Sequence, residues 1–191
     1  MAYGFYFDMT RCIGCRACQV ACKDKNRLEV GVTFRNAKTY ETGSFPNVNV
    51  FNYSASCNHC ENPACVANCP TGAMYKAEDG TVIHDREMCI GCQSCVRSCP
   101  YEVPVFDESI GKVKKCDACA YLRAKGMKPA CVDACPNRAL DFGDIDELKA
   151  KYGSDLVSEI GILPSADATG PNVLIKAKAC AQEENPRLLP I

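Results

Sequence analysis

The sequence predicts an α+β protein made of two similar cysteine-rich modules, one inserted into the other, with a small antiparallel β insertion and an irregular C-terminal tail. Three observations lead there. Cysteine supplies 17 of the 191 residues, and sixteen of them fall into four quartets of closely matched spacing. A hairpin pattern joins the second quartet to the third, while the two outer ends of the quartet region read as halves of another hairpin. Hydrophobic residues make up 47% of the chain, but so many are cysteine that the remaining apolar side chains leave a thin core.

Lys and Arg number 22 against 23 Asp and Glu, for a formal net charge of −1. That balance argues against a nucleic-acid surface or a strongly charged substrate channel. Cysteine this dense in a short secreted chain would mean disulfides. The opening MAYGFYFDMT, however, has neither a basic n-region nor an apolar h-region, so folding is expected where thiols stay reduced. No run approaches the roughly 18 apolar residues of a bilayer span, and a partner is expected to hold the chain at any membrane.

The first quartet is Cys12, Cys15, Cys18 and Cys22, and the second Cys57, Cys60, Cys65 and Cys69. The third is Cys89, Cys92, Cys95 and Cys99, and the fourth Cys116, Cys119, Cys131 and Cys135. Each opens with C-x2-C and closes with C-x3-C, and Pro70, Pro100 and Pro136 follow the last cysteine of the second, third and fourth. In bacterial ferredoxins such spacing lets three cysteines hold one 4Fe-4S cube while the fourth ligates the other cluster of a pair. The chain wraps the cube, and Gly14 and Gly91 suit that close approach because they lack a Cβ. Two cysteines four apart lie about 6 Å along a helix, so one C-x3-C segment bridges two cubes. Lys23 stands where the other quartets have the helix-stopping proline, and the first helix is therefore expected to run on through KDKNR. Structural zinc prefers two separated C-x2-C pairs per ion and leaves the compact third cysteine unexplained; a disulfide framework conflicts with the odd count and a reduced compartment.

Between Cys69 and Cys89, Ala73 to Lys76 and Thr81 to His84 read as short strands around a turn at Glu78, Asp79 and Gly80. The outer ends echo this pattern. CPNRALDFG after the fourth quartet matches CPTGAMYKA, and Asp8 precedes Cys12 by four residues as Asp85 precedes Cys89. Strands at Tyr3 to Phe7 and Arg138 to Phe142 are thus expected to pair, making residues 1–22 plus 110–150 a split outer ferredoxin-like module around an inner one at 57–109. Ligation across quartets then predicts four 4Fe-4S clusters: cluster 1 on Cys12, Cys15, Cys18 and Cys135; cluster 2 on Cys22, Cys116, Cys119 and Cys131; cluster 3 on Cys57, Cys60, Cys65 and Cys99; cluster 4 on Cys69, Cys89, Cys92 and Cys95.

Residues 23–56 form the β insertion, with strands in VTFRNAKTY and VNVFNYSAS around turn residues Gly43 to Asn47. GDIDELKAKYG carries Ile145, Leu148 and Tyr152 at near-helical spacing behind an Asp144 cap. The tail, 151–191, has one apolar burst, NVLIK, and is expected to lie along the surface of this chain or a partner. His59 sits between two ligands in CNHC, but its quartet is complete, and Rieske centres replace two cysteines by two histidines; it is read as supporting the ligands. His84 reads as a packed or solvated strand residue and Cys180 as a lone thiol. The basic runs CKDKNR and GKVKKC read as solvated, with steering or docking of a partner as the other reading. Asp117, inside a C-x2-C loop, adds negative charge beside cluster 2 and is expected to lower its potential. No acid-base pair or nucleophile stands out, so no catalytic residue is assigned.

Taken in order, SCNHCENPAC, CPTGAM, CIGCQSCVRSCPY, KCDACA, KPACVDACPNRALDFG and PNVLIK resemble the iron-sulfur subunit of the dimethyl sulfoxide reductase family over nearly the whole chain. The resemblance implies electron transfer between a large molybdopterin catalytic subunit and an integral-membrane quinol-oxidising anchor. It implies cluster 1 nearest the catalytic subunit and cluster 4 nearest the quinol. Cys92 and Cys95 are both present where some relatives carry an aromatic residue, which is the dimethyl sulfoxide reductase pattern rather than the nitrate reductase one. Through such partners the chain would be peripheral to the cytoplasmic membrane, extracytoplasmic if the catalytic subunit carries a twin-arginine signal and cytoplasmic otherwise. Two other assignments stay open: the iron-sulfur subunit of a formate dehydrogenase or hydrogenase system, and a free-standing polyferredoxin.

Overall fold

Tyr3, Phe5 and Phe7 alternate along the chain with Gly4, Tyr6 and Asp8, the period of a strand. In a computed structural model, which describes residues 2–183 and 185–190, this segment is β1 (Tyr3–Asp8), and both of its faces are covered. Phe5 and Phe7 enter the main core with Met9, Leu140 and Ile175, while Tyr6 turns to a second cluster with Ile145, Leu148 and Leu174. A turn follows in which Asp8 accepts hydrogen bonds from the Thr10 amide and hydroxyl at 2.8 and 2.6 Å. An aspartate that accepts from the amide two residues on recurs at Asp79, Asp85, Asp107 and Asp117.

Helix α1 (Ala17–Lys25) passes Cys22 and ends two residues short of the expected Arg27, because Arg27 turns to φ +49. Asn26 closes the helix by donating its side-chain amide to the Cys22 carbonyl at 2.8 Å. The insertion forms β2 (Asn36–Ser44) and β3 (Asn47–Ala55), paired antiparallel along their whole length. Ala37, Phe51 and Tyr53 at the base of this hairpin join the main core, and Phe45 at its tip stands exposed.

After the short helix α2 (Ala64–Ala67), strands β4 (Met74–Lys76) and β5 (Val82–His84) form the hairpin expected between the second and third quartets. Helix α3 (Ser94–Ser98) stops before Cys99 and Pro100. A further hairpin, β6 (Val105–Asp107) with β7 (Lys112–Lys114), stands between the third and fourth quartets, where none was foreseen. The single turns α4 (Ala120–Arg123) and α5 (Ala130–Asp133) carry the chain to β8 (Leu140–Asp144), which pairs antiparallel with β1. β8 begins two residues later than expected because Arg138, at φ +51, belongs to the turn after Cys135. Asp144 caps helix α6 (Ile145–Tyr152), accepting from the Asp146 and Glu147 amides at 2.9 and 3.3 Å. Tyr152 stacks on Tyr6 with ring centres 3.7 Å apart.

The tail departs from the irregular surface segment expected of it. β9 (Val173–Lys176) lies parallel to β1 and completes a sheet in the order β8-β1-β9, with Val173, Leu174 and Ile175 buried. A strand covered on both faces reads as an unbroken apolar run, which is what NVLIK is. Ile160 and Ala181 also enter the main core, and β10 (Arg187–Leu189) adds antiparallel to β2. Among the described residues the outcome is a mixed α/β structure with few helices and four small sheets.

Candidate metal centres

The cysteine loops share a backbone shape. Gly14 and Arg16 in the first quartet take φ +72 and +62, and Gly91 and Gln93 in the third take +70 and +60. A Cβ on Gly91 would meet the Gly111 carbonyl oxygen at 2.1 Å, so neighbouring backbone as well as φ demands glycine there, while at Gly14 it would press on the Asn52 side-chain amide at 2.6 Å. Ala118 and Cys119 repeat the left-handed turn in the fourth quartet. Successive amides in such turns point into one concavity that suits an anionic group. Amides also reach sulfur: Met74, Ala118 and Ala139 donate to the Sγ atoms of Cys69, Cys116 and Cys135 at 3.4, 3.4 and 3.2 Å.

The sulfurs gather across quartets. Cys12 has Cys18, Cys135 and Cys15 as neighbours, and these four line one recess together with Phe7, Ser54 and Leu140. Cys22 faces Cys131 and Cys119, and Cys116 faces Cys57 as well as Cys22 and Cys131. Cys65 faces Cys57, Cys99 and Cys60, while Cys95 faces Cys69, Cys89 and Cys92. Among the described residues no three His, Cys, Asp or Glu side chains converge tightly enough to hold a single ion.

Burial pushes the Cys22 and Cys65 thiols up to about 12 and Cys60 up to about 11, so binding a metal group there releases protons. At Cys69 burial pushes the same way, but the amide of Met74 and the hydroxyl of Thr71 outweigh it and hold the thiol below its ordinary value. Exposure differs just as clearly. Cys22, Cys116, Cys119 and Cys131 are all buried, whereas Cys15 and Cys92 face solvent. Thiols gathered across quartets and amide concavities beside them fit a polynuclear iron-sulfur group.

Residues 48–145 match the family model of the 4Fe-4S dicluster domain, and residues 9–30 match a 4Fe-4S binding domain. The sequence is 49% identical over 190 residues to the B subunit of anaerobic dimethyl sulfoxide reductase from Haemophilus influenzae, covering 94% of this chain and 91% of the relative. It is 48% identical over 185 residues to the Escherichia coli protein of the same name, covering 93% and 89%. This chain therefore belongs to the iron-sulfur subunits of the dimethyl sulfoxide reductase family. The B subunit of polysulfide reductase from Wolinella succinogenes, 37% identical over 177 residues with 91% and 93% covered, is a more distant relative. As an iron-sulfur subunit of this family the chain transfers electrons and does not itself carry out reductase chemistry.

Several side chains outside the quartets stand near the sulfurs of this iron-sulfur subunit. Arg35 is buried beside Cys131, Cys18, Cys116 and Cys22. Lys115, expected to be solvated with the rest of GKVKKC, is only 6% exposed; it donates to the Val82 and Cys116 carbonyls and faces Cys116 and Cys65. Thr169 of the tail donates its hydroxyl to Cys60 Sγ at 3.2 Å. Nothing local in the sequence marks Thr169 or Arg35, since each reaches sulfur only through the fold. His59 is fully buried, and its Nδ1 accepts the Val82 amide at 2.9 Å. Burial first, and Lys115 and Arg123 next, hold its ring well below the usual histidine range. His59 thus braces the β4–β5 hairpin. His84 is half-buried on β5, Asp117 accepts the Cys119 amide at 2.8 Å, and Cys180 packs against the main core.

Proposed function

We propose that the quartet cysteines hold four 4Fe-4S clusters: cluster 1 on Cys12, Cys15, Cys18 and Cys135; cluster 2 on Cys22, Cys116, Cys119 and Cys131; cluster 3 on Cys57, Cys60, Cys65 and Cys99; cluster 4 on Cys69, Cys89, Cys92 and Cys95. The neighbourhoods of Cys12, Cys22, Cys65 and Cys95 support this division. We also take residues 1–22 plus 110–150 as an outer module split by an inner one at 57–109, with the β insertion at 23–56 and the tail at 151–191. The antiparallel pairing of β1 with β8, at opposite ends of the outer segments, supports that reading.

When bound, each cluster supplies a one-electron redox site. The chain seats, insulates and presents them. One observation carries the functional reading: the cluster 2 ligands are buried, while Cys15 and Cys92 are exposed beside Ile13 and Ile90, which are 66% and 67% exposed. A dry middle with two open ends is the layout of a relay. We assign the Cys15 end to a large molybdopterin catalytic subunit and the Cys92 end to an integral-membrane quinol-oxidising anchor. The acceptor reduced in the partner is a small molecule such as a sulfoxide or N-oxide, a choice supported by similarity to relatives named as subunits of dimethyl sulfoxide reductase. Among the described residues no helix is long and apolar enough to cross a membrane, and we place the chain peripheral to the membrane, held by its partners.

Serine variants test the ligand sets in the purified complex. Cys22→Ser and Cys119→Ser should alter the same EPR signal, and Cys15→Ser a different one. If Cys15→Ser and Cys22→Ser alter one signal in common, ligation stays within quartets and the assignment fails.

A further inference from the structure

Arg35 stands just ahead of β2, 2% exposed, and is among the largest fully buried side chains. Its Nη1 donates to the Ser54 carbonyl and hydroxyl at 2.9 and 3.1 Å, and its Nη2 to the Ser56 hydroxyl at 2.8 Å. Nε has no partner, and the guanidinium lies 4.5 Å over the Phe5 ring. Every one of these contacts is neutral, and among the described residues no carboxylate pairs with Arg35. A buried cation without a counter-charge is costly. What surrounds it instead is sulfur. Cys131, Cys18, Cys116 and Cys22 face it. The Ser54 hydroxyl links the two, 3.1 Å from Nη1 and 3.4 Å from Cys18 Sγ.

From this placement we infer that Arg35 is a built-in cation, shared by cluster sites 1 and 2, that raises the redox potential of the groups seated there. A cluster with its thiolates is anionic and more so when reduced, so a fixed positive charge nearby favours the reduced form. Three of the four facing sulfurs belong to site 2 and one to site 1, so the effect falls hardest on site 2. Arginine suits the position because it keeps its proton and spreads donors in a rigid fork. Arg35 is thereby a positioning and tuning residue, reaching the Cys18 sulfur through the Ser54 hydroxyl rather than touching any substrate.

The inference rests on the ligand sets proposed above, and its test is a potentiometric EPR titration of the purified complex carrying Arg35→Gln or Arg35→Lys. In Arg35→Gln the midpoints of sites 1 and 2 should move to lower potential, that of site 2 further; Arg35→Lys should bring both back toward the wild type. Unmoved midpoints in a fully loaded Arg35→Gln complex, an equal shift at all centres, or a lysine variant as displaced as the glutamine one would overturn it. Should Arg35→Gln lose its iron, the lysine variant decides. Retained iron with wild-type midpoints then supports the need for charge, whereas lost iron or displaced midpoints assign Arg35 to packing and overturn the inference. A wild-type complex without four centres attributable to this chain would sink the ligand sets instead, so the two failures read differently.

Discussion

Asp117 and Arg35 act on one group of sulfurs with opposite charges. The Asp117 carboxylate holds the Cys119 amide at 2.8 Å and adds to the forces that keep the Cys119 thiol protonated, after burial as the first of them. Asp117→Asn keeps an acceptor for that amide and removes the charge, so one midpoint should rise in an EPR titration of the complex; four unchanged midpoints would contradict this. The carboxylate was legible because it lies inside a C-x2-C loop, where three neighbouring residues announce what it is next to. Arg35 was not. In VTFRNAKTY a lone arginine within the expected strand gives no local sign of burial, and the serines that hold it lie 19 and 21 residues further on. Lys115 was misread for the same reason, since its burial comes from Val82, 33 residues away. Charge is local in sequence but burial is not.

Elements that repeat were the easiest to foresee. β1, β4, β5 and β8 could be placed because two stretches of chain carry the same aspartate, cysteine and proline landmarks, and helix α6 because Asp144 precedes an apolar period. β9 had no such help. Its partner is parallel and far away in the chain, with Phe5 opposite Val173, and a parallel pairing leaves no local turn to announce it. β6 and β7 are only three residues each, too short for alternation to show. That β9 is part of the core gives it a measurable weight. Ile175 is fully buried, so Ile175→Ala should destabilise the loaded protein by about 2–5 kcal/mol. Leu188→Ala on β10, where Leu188 is 49% exposed, should change little. Equal losses of thermal stability in the two variants would mean that the tail does not pack as described.

For the molecule as a whole, the thin apolar core has a chemical counterpart. One buried cluster consists of Cys22, Leu28, Phe34, Cys57 and Cys116, and another of Cys65, Met74, Val82, Cys95 and Val113. Thiols occupy core positions that aliphatic side chains fill elsewhere, so the free energy of metal binding is folding free energy here. Chelation under reducing conditions should therefore abolish the cooperative thermal transition followed by circular dichroism; a transition that survives would refute this. The placement of β1 between β8 and β9 bears on how such a chain is made. On the ribosome Met74 can meet His84 soon after both emerge. Tyr3 must wait for Asp144, and Phe5 for Val173. Until then an aromatic strand hangs with both edges open, the kind of segment that aggregates. On the proposed ligand sets, the site of Cys12, Cys15 and Cys18 is complete only once Cys135 has been made. The first strand synthesised must wait for Val173 before both its edges are paired.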